Sequence, residues 1–281
     1  MKKNENLLRL KIFGRKRTGK KGTSMADSLK LEIDNFQGIG KRHRQEDSFY
    51  VADYNDSVAI AEKGFMAVVA DGMGGMLNGA EMSAVVTSTA KEYYDKHLSK
   101  KVGKEPQELC SMLALIDARA KQMQEQTDEE ESGSTLLSVL IRGHKLYFLT
   151  VGDSRIYLLR EGKLLQLNRE HNVKSQMIER VAKEELDMEF YREMTGKAGL
   201  TSYIGVPELE MYELSYKPFV LQKHDVILLA SDGVFGTLQE EKMIEILEED
   251  FGNAAKKMRD AVERAGNPRQ DNYTGVMIKC I

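Results

Sequence analysis

Phe65-Met-Ala-Val-Val-Ala70, followed at once by Asp71-Gly72-Met73-Gly74-Gly75, is the stretch from which the fold is read. Six apolar residues without a polar break describe a buried strand, and the Asp-Gly that closes it is a strong turn signal. The same design returns in Val226-Ile-Leu-Leu-Ala230, which runs into Ser231-Asp232-Gly233. Shorter strand patterns surround the first run at 29–36, 47–53 and 57–61, and further ones stand at 134–142, 145–151, 155–160 and 163–167. Strand character is expected again over 208–231 and at 273–280. Helical periodicity appears in adjacent pairs: 79–98 (Met82, Val85, Val86, Tyr93, Leu98) with 106–124 (Leu109, Met112, Leu113, Ile116, Ala120, Met123), and 239–249 with 253–265. Gly266 and Pro268 stop the last of these, and the charged segment 171–194 also reads as helical. Paired helices between groups of strands argue against a doubly wound parallel sheet. They predict an α+β sandwich of antiparallel sheets covered by helices. No linker or repeat divides 29–281, which is expected to be one domain behind a flexible tail, 1–28.

Composition narrows the class. The chain has 281 residues, 41% of them hydrophobic and 30% charged, with four prolines and no tryptophan, as in globular proteins. Its longest apolar runs stop short of the ~18 residues of a membrane span, and no leader-like stretch opens the chain, so a cytoplasmic protein is expected. Cys110 and Cys280 lack metal-type spacing and suggest reduced thiols. The net charge of -3 conceals a division: residues 1–30 carry ten Lys/Arg against Glu5 and Asp27, giving +8, so the remaining 251 residues sum to -11. An acidic body excludes a nucleic-acid-binding core, whereas the basic tail suits an anionic membrane surface or an acidic partner. Gly14-Arg-Lys-Arg-Thr-Gly19-Lys20-Lys21 approaches a phosphate-binding loop but puts Lys21 where the magnesium-binding hydroxyl belongs.

The chemistry is expected from acids at strand ends: Asp71, Asp153 after Leu-Thr-Val-Gly, Asp232, and Asp271 ahead of the last strand. Any one of them reads as a turn residue. Together, at the ends of central strands in a sandwich, they can converge, and clustered carboxylates raise one another's pKa unless cations neutralise them. No histidine pair has ligand spacing, so the expected ions are hard and oxygen-seeking, Mg²⁺ or Mn²⁺. No nucleophile elbow is present, which leaves hydrolysis by a water acidified on paired cations, with a phosphate ester as the natural substrate. Arg42, just ahead of Glu46-Asp47, is placed to fork a phosphate.

The ordered set Gly40-Lys-Arg42-His-Arg-Gln-Glu46-Asp47, Val69-Ala-Asp71-Gly72-Met73-Gly74-Gly75, Ser132-Gly-Ser-Thr135, Val151-Gly-Asp153-Ser-Arg155, Ser231-Asp232-Gly233 and Asp271-Asn272 resembles the metal-dependent type-2C serine/threonine protein phosphatases, bacterial branch. The resemblance covers about 30–281. It implies a four-layer α-β-β-α sandwich of two antiparallel sheets flanked by helix pairs, and a Mg²⁺/Mn²⁺ enzyme acting on phosphorylated proteins, targets of a cognate Ser/Thr kinase. It further implies that Asp71 bridges two ions, with Asp232 and Asp271 completing one site. Glu46, Asp47 and the carbonyl of Gly72 serve the other, and Asp153 with Asp232 forms a third. Arg42 would bind the substrate phosphate, and 171–200 would be a flap beside the cleft that tunes substrate choice. Animal members carry a histidine where this chain has Met73, which leaves His43 and His171 as candidate general acids. Gly236 stands where a further acid is usual, and the rival expectation is a catalytically weak regulatory relative that binds phosphoproteins.

Overall fold

The computed structural model describes residues 29–73, 78–127, 132–194, 196 and 199–281, and the basic segment 1–28 lies outside the described residues. In chain order the elements are β1 (Leu31–Gly38), β2 (Asp47–Val51), α1 (Ser57–Lys63), β3 (Phe65–Met73), α2 (Gly79–Glu92), α3 (Glu105–Thr127), β4 (Gly133–Ser134), β5 (Leu136–Arg142), β6 (Lys145–Val151), β7 (Arg155–Arg160) and β8 (Lys163–Gln166). They continue with α4 (Val173–Ala182), α5 (Met188–Glu193), β9 (Glu213–Leu214), β10 (Phe219–Val220), β11 (Val226–Ala230), α6 (Asp232–Phe235), α7 (Glu240–Glu249), α8 (Ala254–Arg264) and β12 (Tyr273–Cys280).

Two antiparallel sheets face each other. One runs β1-β12-β11-β7-β8, the other β10-β6-β5-β3-β2, with β4 and β9 attached to β3 and β6. The period-2 rule explains the layering. Along β11, Ile227 and Leu229 enter the core between the sheets, while Val226, Leu228 and Ala230 face outward onto α7 and α8. Those helices answer with Met243, Ile246, Leu247, Met258 and Val262 on their buried sides. On the opposite face α2 presents Met82, Val86 and Ala90, spaced one turn apart, and α3 adds Leu109, Met112 and Ile116. The result is the expected four-layer α-β-β-α sandwich. Among the described residues no helix is long and apolar enough to cross a membrane.

Two local readings change. Residues 57–61 form α1 rather than a strand: the carboxylate of Asp56 accepts from the amides of Val58 and Ala59, a helix cap that Val-Ala-Ile alternation conceals. The expected strand character of 208–231 contracts to β9, β10 and β11, with Pro218 in the gap before β10.

Buried charge appears at the end of the sandwich away from the acids. Arg142 donates to the carbonyls of Lys63, Ser99 and Lys101 and pairs with Glu105 (3.3 Å), both side chains under 10% exposed. Glu105→Ala strands that guanidinium among carbonyl dipoles alone, and is expected to cost about 3 kcal/mol of unfolding free energy in urea titrations.

Candidate metal centre

The acids meet because of strand direction. Asp47 opens β2, Asp71 lies near the end of β3, and antiparallel register sets the two directly opposite each other. Asp153 follows β6, Asp232 follows β11 and Asp271 precedes β12, all at the same end of their sheets. Asp71 lies opposite Asp47 and within the fields of Asp232, Asp153 and Asp271. Asp153 and Asp271 flank Asp232 closely enough for their charges to act on one another.

The surrounding backbone is drawn in tightly. A Cβ on Gly72 would sit 2.0 Å from the Gly79 carbonyl oxygen and 2.5 Å from that of Glu46, so only glycine passes there. At Gly233 a Cβ would lie 1.9 Å from the carbonyl oxygen of Asn272. Asn272 is itself a clip: its Oδ1 accepts from the Glu46 amide (2.8 Å), and its Nδ2 donates to the carbonyls of Ile39 (2.9 Å) and Arg44 (2.8 Å). It thereby fixes the loop that carries Arg42 and Glu46 against the start of β12. The Asp71 amide donates to Thr135 Oγ1 (3.0 Å), and Ser231 Oγ donates to Asp47 Oδ2 (2.8 Å). Ser231, Thr135 and Asn272 stand in the motif strings, but their supporting roles are visible only in three dimensions.

Electrostatically the buried centre is short of positive charge, with Arg42 and Arg155 acting only on its outer acids. Burial, and then the charges of Asp47 and Asp232, push the Asp71 carboxyl well above the usual carboxylate range. Burial lifts Asp47 to about 6, against hydrogen bonds from Thr274 and Ser231 that pull it down. Asp153 also rises to about 6, from burial and then the charge of Asp232, and Asp232 is raised by burial and Asp271. Asp47 Oδ1 is buried without a hydrogen-bond partner. An orphaned carboxylate oxygen within an all-oxygen donor set suits a hard divalent cation. The acids are not drawn into a closed cage, and among the described residues no three His, Cys, Asp or Glu side chains form a ready-made metal site.

Arg42 lies at the rim, half exposed, with Nη2 2.6 Å from Asp271 Oδ2 and within the fields of Glu46 and Asp232. His43 is exposed. His171 is buried beneath the Asp153 loop, where its Nδ1 accepts from the Gly152 amide (3.0 Å), and burial lowers its pKa. This neutral imidazole supports the Asp153 loop, a role that does not call on it as an acid.

The protein phosphatase 2C model matches residues 39–274. The chain belongs to the protein phosphatase 2C family. It is similar to the serine/threonine protein phosphatase PstP of Mycobacterium tuberculosis, 29% identical over 237 residues that make up 80% of this chain and 42% of that protein. The chain thus spans less than half the length of that relative. Among solved structures, the S. agalactiae serine/threonine phosphatase superposes with a TM-score of 0.75 at 21% identity, covering 89% of this chain and 100% of that one. The catalytic domain of PstP in complex with two manganese ions gives 0.71 at 24%, covering 90% and 100%. At these identities the structural likeness carries the protein phosphatase 2C fold.

A pH dependence follows. Asp47 and Asp153 bind protons more tightly folded, near 6, than the ~4 of an unfolded aspartate, so between those values the native state holds more protons. In chelator, urea stability is therefore expected to fall as pH rises from 5 to 7.5, by on the order of 2 kcal/mol. Asp153→Asn should flatten the dependence, as should millimolar Mn²⁺.

Proposed function

We propose that this chain is a Mg²⁺/Mn²⁺-dependent protein serine/threonine phosphatase. The observation that carries the reading is Asp71 held between Asp47 and Asp232, desolvated and surrounded by further carboxylates, with a guanidinium at the rim. Asp71, Asp232 and Asp271 would hold one ion, and Asp71 with Glu46, Asp47 and the Gly72 carbonyl a second. Asp153 and Asp232 would hold a weaker third. Bound there, such cations supply an acidified water and positive charge against phosphate oxygens.

The chain's own groups do the rest. Arg42 exchanges Asp271 for the phosphate, forking two equatorial oxygens and orienting the ester bond toward the acids. Side-chain nucleophiles are unsuited. Ser231 donates to Asp47, and Thr135 and Ser154 hydrogen-bond each other (2.9 Å). Burial pushes the thiol of Cys280, at the far end of β12, up to about 12. Direct attack by water without a covalent intermediate is the mechanism these commitments leave.

Gly236, the feature that favours a catalytically weak relative, has a local role: its amide donates to the Asp232 carbonyl (2.7 Å) and closes the turn of α6. The substrates are proposed to be phosphorylated proteins, including targets of a cognate Ser/Thr kinase. We further propose that the protein is cytoplasmic and forms one domain over 29–281, with the basic tail 1–28 contacting an anionic membrane or an acidic partner.

The test is phosphate release from a phosphothreonine peptide with and without Mn²⁺. Wild type is expected to turn over only with the cation, and Asp71→Asn to lose about 10³-fold or more. Release by wild type no faster than by that variant overturns the reading. Arg42→Ala is expected to raise KM about 10- to 100-fold, with a smaller change in kcat.

A further inference from the structure

We infer that a cavity beside the Asp153 loop receives the residues flanking the phosphorylated side chain, and that Arg169 and Lys174 select carboxylates there. The inference deepens the phosphatase reading and rests on it. The cavity, about 1040 Å³, lies between α4 and the β7–β8 edge, with Met211–Glu213 closing one side. One end neighbours the Asp153 loop. His171, in its wall, accepts the Gly152 amide, and the charges of Arg155 and Glu170, also in the wall, reach Asp153.

Charge decides the occupant. The wall acids are already engaged: Glu170 accepts from Arg155 Nε (2.5 Å) and Asn172 Nδ2 (2.6 Å), Glu213 from the Arg169 amide (2.5 Å), and Glu179 pairs with Lys183 (2.8 Å). The guanidinium of Arg169 and the ammonium of Lys174 are exposed and hydrogen-bond to no described residue. With Glu170 offset by Arg155 and Glu179 by Lys183, Arg169 and Lys174 outweigh Glu213 on this wall, in a body that sums to -11. Ile178, 47% exposed, and Met211, 38% exposed, add apolar surface between them. A peptide carrying Asp or Glu beside its phosphorylated residue, with an aliphatic side chain among them, complements both features; a run of Lys or Arg is repelled.

Two readouts test this on the full chain. Fluorescence anisotropy in chelator measures binding of phosphothreonine peptides flanked, on either side, by three Glu, three Gln or three Lys. Phosphate release with Mn²⁺ gives kcat/KM for the same peptides. For one of the two sides, wild type is expected to favour the Glu over the Lys peptide about tenfold in both. Arg169→Glu/Lys174→Glu should invert that ratio, taken within the variant, and Arg169→Gln/Lys174→Gln should bring it near one. Binding of Glu and Lys peptides within twofold of each other, or a preference that survives charge reversal, overturns the inference. A binding preference without phosphate release would count against the phosphatase reading and leave the cavity's selectivity standing.

Discussion

Asp47 and Asp71 face each other across neighbouring strands, and the rest of the site is shaped by the need to hold them there. Like charges opposite one another in an antiparallel ladder are destabilising, and burial removes the water that would screen them. The chain supplies partial relief through the hydroxyls of Ser231 and Thr274. None of these donors brings a positive charge. The Arg42 guanidinium pairs with Asp271 at the rim, away from the buried pair. A fold that desolvates carboxylates and leaves an oxygen of Asp47 unpartnered is prepared for a charge from outside.

The acids also lie along the seam between two sheets, which gives the site its rigidity. Ser231, at the end of β11, bonds Asp47 at the start of β2; Asn272, ahead of β12, clips the 39–46 loop; and the short β6–β7 connection carries Asp153 from one sheet to the other. Gly72 and Gly233 let backbones approach at the crossings, where any Cβ would overlap a carbonyl. Positions set by strands on two packed sheets are more exactly repeatable than positions set by loops. Helices α4 and α5, by contrast, bury no residue completely.

The parts legible in the sequence are those with a one-dimensional signature. Apolar runs ending in Asp-Gly announce central strands with acids at their tips, and paired 3.6-residue periods announce the outer layers. The convergence of Asp71, Asp232 and Asp271 follows once those strands are antiparallel. What sequence could not show is pairing between residues far apart in the chain. Ser231 reads as a strand-end hydroxyl until Asp47 lies beside it, and Asn272 reads as a turn residue until its three loop partners are known. His171 reads as a candidate acid because Met73 leaves the usual histidine position empty; its burial against Gly152 is a tertiary fact. The α1 error has another cause. Seven residues are too few to separate a period of 2 from one of 3.6, and the deciding Asp56 cap lies just outside the pattern.

Charge distribution links the centre to what approaches it. On the proposed phosphatase reading, a phosphorylated protein would bring two negative charges to a body that sums to -11, which slows encounter unless the approach path carries the opposite sign. Cations at the centre would neutralise only the end of that path. Arg42 at the rim, once its pairing with Asp271 is exchanged, and Arg169 and Lys174 on the cavity would supply positive charge farther out. Screening confines each of these fields to about 10 Å at ordinary ionic strength, so their value lies in succession along the path rather than in range. The surface around the site and the site itself answer the same electrostatic problem.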